Sequence, residues 1–169
     1  DLLDPEKART FEVGTKWDLF NDKLNLTAAI FRTEKQNTRI QIDPTTYTNG
    51  GESKVDGIEL GLNGNITDKW AVSAGYTYLD SEQTDPGPSC SRTGVCSPNN
   101  PAKGKDLPNV PTNSATLWTT YKVLPQLTLG AGAIAMDKVY GNAANTKWVP
   151  GYVRYDAMVR YDVNKNINL

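Results

Sequence analysis

Acid–base and metal chemistry would have to proceed here without histidine. None occurs among the 169 residues, which removes the commonest general acid/base and the commonest metal ligand. Carboxylates, Lys, Tyr, Ser and two cysteines are left. Cys90 and Cys96 stand six positions apart in a stretch rich in Pro, Ser and Gly. That setting suits a small disulfide-closed loop in an oxidising compartment. Free thiols or metal ligands are the alternative, but two cysteines without a histidine make a poor zinc site, and no metal site is expected. Gly130-Ala131-Gly132-Ala133-Ile134-Ala135 has the form of a dinucleotide fingerprint, with Asp156 at a suitable distance beyond it. The fingerprint needs a helix to begin there and aim its amides at a pyrophosphate. Gly141, Asn142, Asn145 and Pro150 mark a loop instead, so the run reads as a strand face where bulk is avoided. No spacing brings two carboxylates to the defined separation that glycoside hydrolysis needs. No catalytic residue is assigned, and the chain is not read as an enzyme.

The formal net charge is −1 and the basic residues are scattered. Without a basic block able to track a phosphate backbone, nucleic acid is not an expected partner. Hydrophobic residues make up 38%, alongside 14 Gly and 10 Pro, which is lean for a thick interior. No apolar run approaches the roughly 20 residues of a transmembrane helix, and the first residues lack the pattern of a signal peptide. If this chain crosses a membrane, strands must do it.

Strands are what the alternation predicts. Phe11, Val13, Thr15, Trp17 and Leu19 share one face, with Glu12, Gly14, Lys16 and Asp18 on the other. After a turn at residues 21–23, Leu24, Leu26, Ala28 and Ile30 alternate with Asn25, Thr27, Ala29 and Phe31. The unit recurs as Ile58, Leu60, Leu62 and Ile66, a turn at 67–69, then Trp70, Val72, Ala74, Tyr76 and Tyr78. It recurs again as Ala115, Leu117, Thr119 and Tyr121, a turn near Pro125, then Leu127, Leu129, Ala131 and Ala133. A seventh strand sets Val153, Tyr155, Ala157, Val159 and Tyr161 against Arg154, Asp156, Met158, Arg160 and Asp162, and an eighth begins after residues 164–166.

Short turns near 21, 68, 125 and 165 alternate with long polar links at about 36–52, 81–111 and 138–150. Outer-membrane barrels have this asymmetry, with short turns on the periplasmic side and long loops outside. Trp17, Trp70, Tyr121 and Tyr161 fall near the short turns, and Phe11, Tyr76, Tyr78 and Tyr155 nearer the long links. Two aromatic heights are what lipid interfaces favour. From Trp70 to Tyr78 is roughly 26 Å along a strand, or about 19 Å along the normal at 45° tilt, against an apolar band of about 25 Å.

Several stretches are similar to the barrel of TonB-dependent siderophore receptors. They are Pro5-Glu6-Lys7 leading into Phe11-Glu12-Val13-Gly14-Thr15-Lys16-Trp17; Leu26-Thr27-Ala28-Ala29-Ile30-Phe31-Arg32-Thr33; Val55-Asp56-Gly57-Ile58-Glu59-Leu60; Ser73-Ala74-Gly75-Tyr76-Thr77-Tyr78-Leu79-Asp80; and Val149-Pro150-Gly151-Tyr152-Val153-Arg154-Tyr155-Asp156. They cover nearly the whole chain in order, and their texture is that of the catecholate type. The resemblance implies an all-β, antiparallel transmembrane barrel of about 22 strands with a plugged lumen in the bacterial outer membrane. Residues 1–169 would be a partial barrel domain of about seven strands and the start of an eighth. The plug domain, the N-terminal energy-coupling motif and a last strand ending in an aromatic residue are expected to lie elsewhere in a longer chain.

As further implications of the resemblance, the partners are a ferric siderophore, the TonB–ExbB–ExbD complex acting through the N-terminal region, and outer-membrane lipid. No cofactor is expected, because iron travels as cargo inside the siderophore. Glu12, Glu59, Arg154, Asp156 and Arg160 would face the lumen, where charge meets water or the plug instead of lipid, and the small residues at 130–135 would lie beside the plug. The long links would carry recognition. A ferric catecholate is an anion bearing aromatic rings, so it calls for cations and for aromatics to stack on. Arg39 and Tyr47 in the first link, Arg92, Lys103 and Lys105 in the second, and Tyr140, Lys147 and Trp148 in the third supply them. A passive porin and a secreted β-rich binding module are the alternative readings.

Overall fold

Period-two alternation becomes antiparallel strand along almost the whole chain. The structure, a computed structural model, describes residues 3–41, 45–91, 93–164 and 167–169. The strands are β1 (Lys7–Leu19), β2 (Leu24–Gln41), β3 (Tyr47–Thr67), β4 (Trp70–Asp85), β5 (Ser89–Cys90), β6 (Cys96–Ser97), β7 (Asn113–Leu124), β8 (Leu127–Met136), β9 (Val139–Tyr140), β10 (Trp148–Val149), β11 (Tyr152–Asn164) and β12 (Ile167–Asn168). Eight of them form one sheet in the order β1-β2-β3-β4-β7-β8-β11-β12, so each strand pairs with the next one along the chain. The pairs β5–β6 and β9–β10 are small separate hairpins within two of the connections. The last of the expected short turns falls at 165–166, outside the described residues.

Register carries the alternation across strands without a slip of face. Trp17, Leu26, Leu62, Ala74, Leu117, Ala133 and Tyr155 are successive partners in one row. The adjacent row on the other face runs Asp18, Asn25, Asn63, Ser73, Trp118, Gly132 and Asp156. One face of the sheet is therefore an apolar band and the other is polar. No second layer of described residues covers the apolar band, where Val13 and Tyr155 are 73% and 79% exposed. Charge bounds the band at both ends. On the side of the long connections, the row Phe11, Arg32, Asp56 and Asp80 is the first to bear charges. Arg32 there grips Asp56 through Nε (2.6 Å) and Nη2 (2.8 Å), and Lys54 meets Glu82 at 2.9 Å a little further out. On the side of the short turns, Lys23 bridges to Asp68 at 2.7 Å.

The first long link is the largest departure from the sequence reading. Residues 36–41 continue β2 and residues 47–52 open β3, so Arg39 and Tyr47 are strand residues, opposite Asn49 and Gln41. At 18 residues, β2 reaches about 60 Å, or roughly 42 Å along the normal at 45° tilt, well beyond an apolar band of about 25 Å. Past the band neither face has to be apolar, so the alternation fades while the ladder continues. Two register shifts mark this outer part, one on either side of Thr38. Asn37 takes φ 58° and Gly50 φ 134° there, a use of left-handed residues typical of bulges. In the second link, β4 likewise runs on to Asp85.

On the polar face, aromatic rings lie over glycines. A Cβ on Gly57 would strike the Phe31 ring, and one on Gly132 would strike Trp118. Gly130 sits beneath the same indole, 3.0 Å from Cζ2 to where its Cβ would be. The lack of bulk at 130–132 is thus answered within this chain by Trp118. Ala131, Ala133 and Ala135 belong to the apolar face, opposite Thr119, Leu117 and Ala115.

Two comparisons between variants test this architecture. Leu60→Arg, near mid-height of the apolar band, should destabilise the intact barrel by about 2–4 kcal/mol, whereas Thr77→Arg on the polar face should cost under about 1 kcal/mol, both read from urea unfolding in lipid vesicles. Gly57→Ala should cost about 1–3 kcal/mol by crowding Phe31. In the Phe31→Ala background most of that cost should vanish, and simple additivity in the double-mutant cycle would refute the contact.

Candidate functional site

The outer ends of β2, β3 and β4 and the two long connections converge on a cavity of about 570 Å³. Lys35, Arg39, Ile40 and Glu52 line it from the β2–β3 hairpin, Asp85 from the end of β4, Asn100, Ala102 and Leu107 from the second connection, and Ala143 from the third. Two cations and two carboxylates therefore border it. Lys35 is tied to Glu6 at 2.6 Å, and the Arg39 backbone N–H also donates to that carboxylate at 3.4 Å. Hydrogen bonding from Lys35, then from the Arg39 amide, holds the Glu6 carboxyl below the usual glutamate range. Asn49 anchors the same corner: its amide donates to Asp4 O (2.9 Å) and Asn37 O (3.0 Å), and its Oδ1 accepts from Asp4 N (2.9 Å).

The recognition residues named from sequence divide into groups. Arg39 enters the cavity wall; Tyr47, exposed at the hairpin tip, does not line it. Lys103 and Lys105 flank Gly104 (φ +71°) in an exposed turn directly after the buried Ala102. Tyr140 and Trp148 are cross-strand partners in the β9–β10 hairpin, with Trp148 61% exposed. The Lys147 amide donates to Asn142 Oδ1 at 2.8 Å. Arg92 lies outside the described residues. Sequence reasoning missed Lys138, whose ammonium sits 4.9 Å over the Tyr140 ring and donates to its hydroxyl at 3.1 Å. A Lys two residues from a Tyr in a strand hairpin was the available signal.

Cys90 and Cys96 form a disulfide, pairing across the β5–β6 hairpin. Closing so short a loop contributes roughly 2 kcal/mol on chain-entropy grounds, and Ser91 closes the tip, its N–H donating to Val95 O (2.8 Å) and its hydroxyl accepting from Val95 N (3.2 Å).

Lower on the polar face, Glu12 and Glu59 border a depression of about 480 Å³ with Gly14, Thr27 and Ala29 in its lining. Arg154 pairs with Asp156 at 3.0 Å and Arg160 with Asp162 at 2.9 Å along β11. All five charges expected to face the lumen thus share the polar face. The Gly130–Ala135 run is strand throughout, without the helix that pyrophosphate binding would need.

Comparison with known proteins matches the whole chain, residues 1–169, to the β-barrel of TonB-dependent receptor-like proteins. The probable TonB-dependent siderophore receptor PiuA of Acinetobacter baumannii is 71% identical over 168 residues, covering 99% of this chain and 22% of that protein. Its crystal structure superimposes with a TM-score of 0.91 over 99% of this chain and 24% of that chain. The catecholate siderophore receptor Fiu of Escherichia coli K12 is 34% identical over 97% of this chain and 21% of that protein. The closed form of Fiu gives a TM-score of 0.78 at 33% identity, over 98% of this chain and 22% of that chain. The chain spans about a fifth of the length of these relatives.

The Glu6 clamp makes a pH prediction. Its folded-state pKa is depressed, so its stabilising contribution is complete above the ordinary glutamate value and is lost as pH falls through the lowered one. Glu6 should titrate below the ordinary glutamate range by carboxyl NMR, and Lys35→Met should move it up toward that range. An unmoved titration in the variant would discount the clamp.

Proposed function

The chain belongs to the TonB-dependent receptor β-barrel family, and from that premise we propose that it is one section of the wall of an outer-membrane receptor that takes up ferric siderophores. The observation that carries this reading is the division of labour along the sheet. A charge-free apolar band on one face suits lipid, while the outer strand ends and two long connections converge on a cavity that holds Arg39. PiuA and Fiu, which carry siderophore and catecholate siderophore in their names, support the ligand class.

In this function the outer end captures the ligand. Arg39, Lys103, Lys105 and Lys147 offset the negative charge of a ferric catecholate, and the Trp148 and Tyr140 rings offer faces to its aromatic groups. Iron stays within the siderophore, so the protein supplies no ligand to the metal. The polar face lines the route, with Glu12 and Glu59 presenting charge to a plug or to water. Binding alone cannot move a ligand against its gradient, so release draws on the inner-membrane TonB–ExbB–ExbD complex acting through the plug. The barrel so formed has about 22 strands.

The test uses the full-length receptor in detergent and the iron(III) tris-catecholate complex as probe. Saturable binding with submicromolar Kd is expected, and Arg39→Ala and Trp148→Ala should each weaken it roughly tenfold, about 1.4 kcal/mol, as anchor residues do. Ion conductance across a bilayer without saturable binding would replace the receptor by a passive channel.

A further inference from the structure

We infer that Gln83 is a positioning residue that locks the second connection (86–112) and the third (137–151) into a single capture element. The inference rests on the reading of these connections as ligand-contacting. Gln83 lies near the outer end of β4 and is only 8% exposed. Its backbone exchanges two hydrogen bonds with the second connection, donating to Lys105 O at 2.9 Å and accepting from Gly104 N at 3.0 Å. Its side-chain amide then divides its donors between the two connections: Nε2 donates to Asp106 O at 3.1 Å and to Ala143 O at 2.9 Å.

A second amide completes the lock from the opposite side. Asn145, held at φ 56°, accepts from Asp106 N at 2.9 Å and donates to Asp106 O at 3.0 Å. The Asp106 peptide is thus gripped on both its polar groups by the third connection, and its carbonyl also by Gln83. Asn109 N donates to Tyr140 O at 2.8 Å, and the buried Ser81 hydroxyl accepts from Leu107 N at 3.1 Å. Residues 104–109 pair their backbone groups with β4 and the third connection instead of with a ladder of their own. A buried amide cannot drop one carbonyl without leaving a donor unpaired, so the two connections hold or open together. Lys103 and Lys105 on one, and Tyr140, Lys147 and Trp148 on the other, are thereby presented as one constellation. The β5–β6 hairpin closes on itself through Ser91 and Val95 and stands outside this network.

Hydrogen–deuterium exchange of the full-length receptor in lipid nanodiscs tests the lock. Gln83→Glu replaces two donors by acceptors facing two carbonyls, and Asn145→Ala removes the other arm. Each should raise exchange about tenfold or more in 102–109 and in 139–147 together, with 91–95 and β7–β8 unchanged. Gln83→Ala serves if the glutamate variant fails to insert, and heat-modifiable gel migration confirms an intact barrel. Faster exchange confined to 102–109 would overturn the inference. The affinity for the iron(III) tris-catecholate complex should fall about tenfold in the same variants. Joint opening with wild-type affinity would sustain the lock and overturn the ligand-contacting reading beneath it.

Discussion

Hydrocarbon offers no hydrogen-bond partner, so every backbone N–H and C=O in the membrane must be satisfied by a neighbouring strand. In the proposed outer-membrane setting, the rest of this structure depends on that constraint. It is met by pairing each long strand with the next in sequence, which needs no crossover and allows two-residue turns such as 68–69 and 125–126. Once the ladder is continuous, side chains must alternate, and a slip of one residue would place Asp18 or Lys16 in the apolar row that Trp17 now holds. The uninterrupted row from Trp17 to Tyr155 is the outcome.

Beyond the band, water returns and the constraint relaxes. The β2–β3 hairpin continues as a ladder but tolerates shifts on either side of Thr38. The second and third connections abandon long ladders for side-chain amides: Gln83, Asn100, Asn142 and Asn145 bond to backbone groups that no strand satisfies. Chemistry that would be ruinous in the band becomes the means of holding the loops.

The polar face answers to a different demand. Its glycines make room for Phe31 and Trp118, and its β11 charges pair along the strand. Exposed pairs of this kind contribute little stability, about 0–1 kcal/mol each. Their consequence is a face whose charge is partly neutralised before any partner arrives.

The sequence by itself determined the strand periodicity, the two faces, the short turns, the two aromatic heights and the family. Each is a local consequence of period-two alternation or of runs such as Phe11–Trp17 and Ser73–Asp80. The Cys90–Cys96 pairing was also legible, since the sequence holds two cysteines and they stand six positions apart. Three things were decided by tertiary structure alone. Residues 36–41 and 47–52 are strand because pairing persists where patterning stops. Gly130 and Gly132 are small because Trp118, on the neighbouring strand, lies over them. The lock between the long connections depends on Gln83 meeting Ala143 at a separation of 60 residues, which no local pattern encodes, because a hydrogen bond is specified by where two groups end up and not by how the chain reads between them.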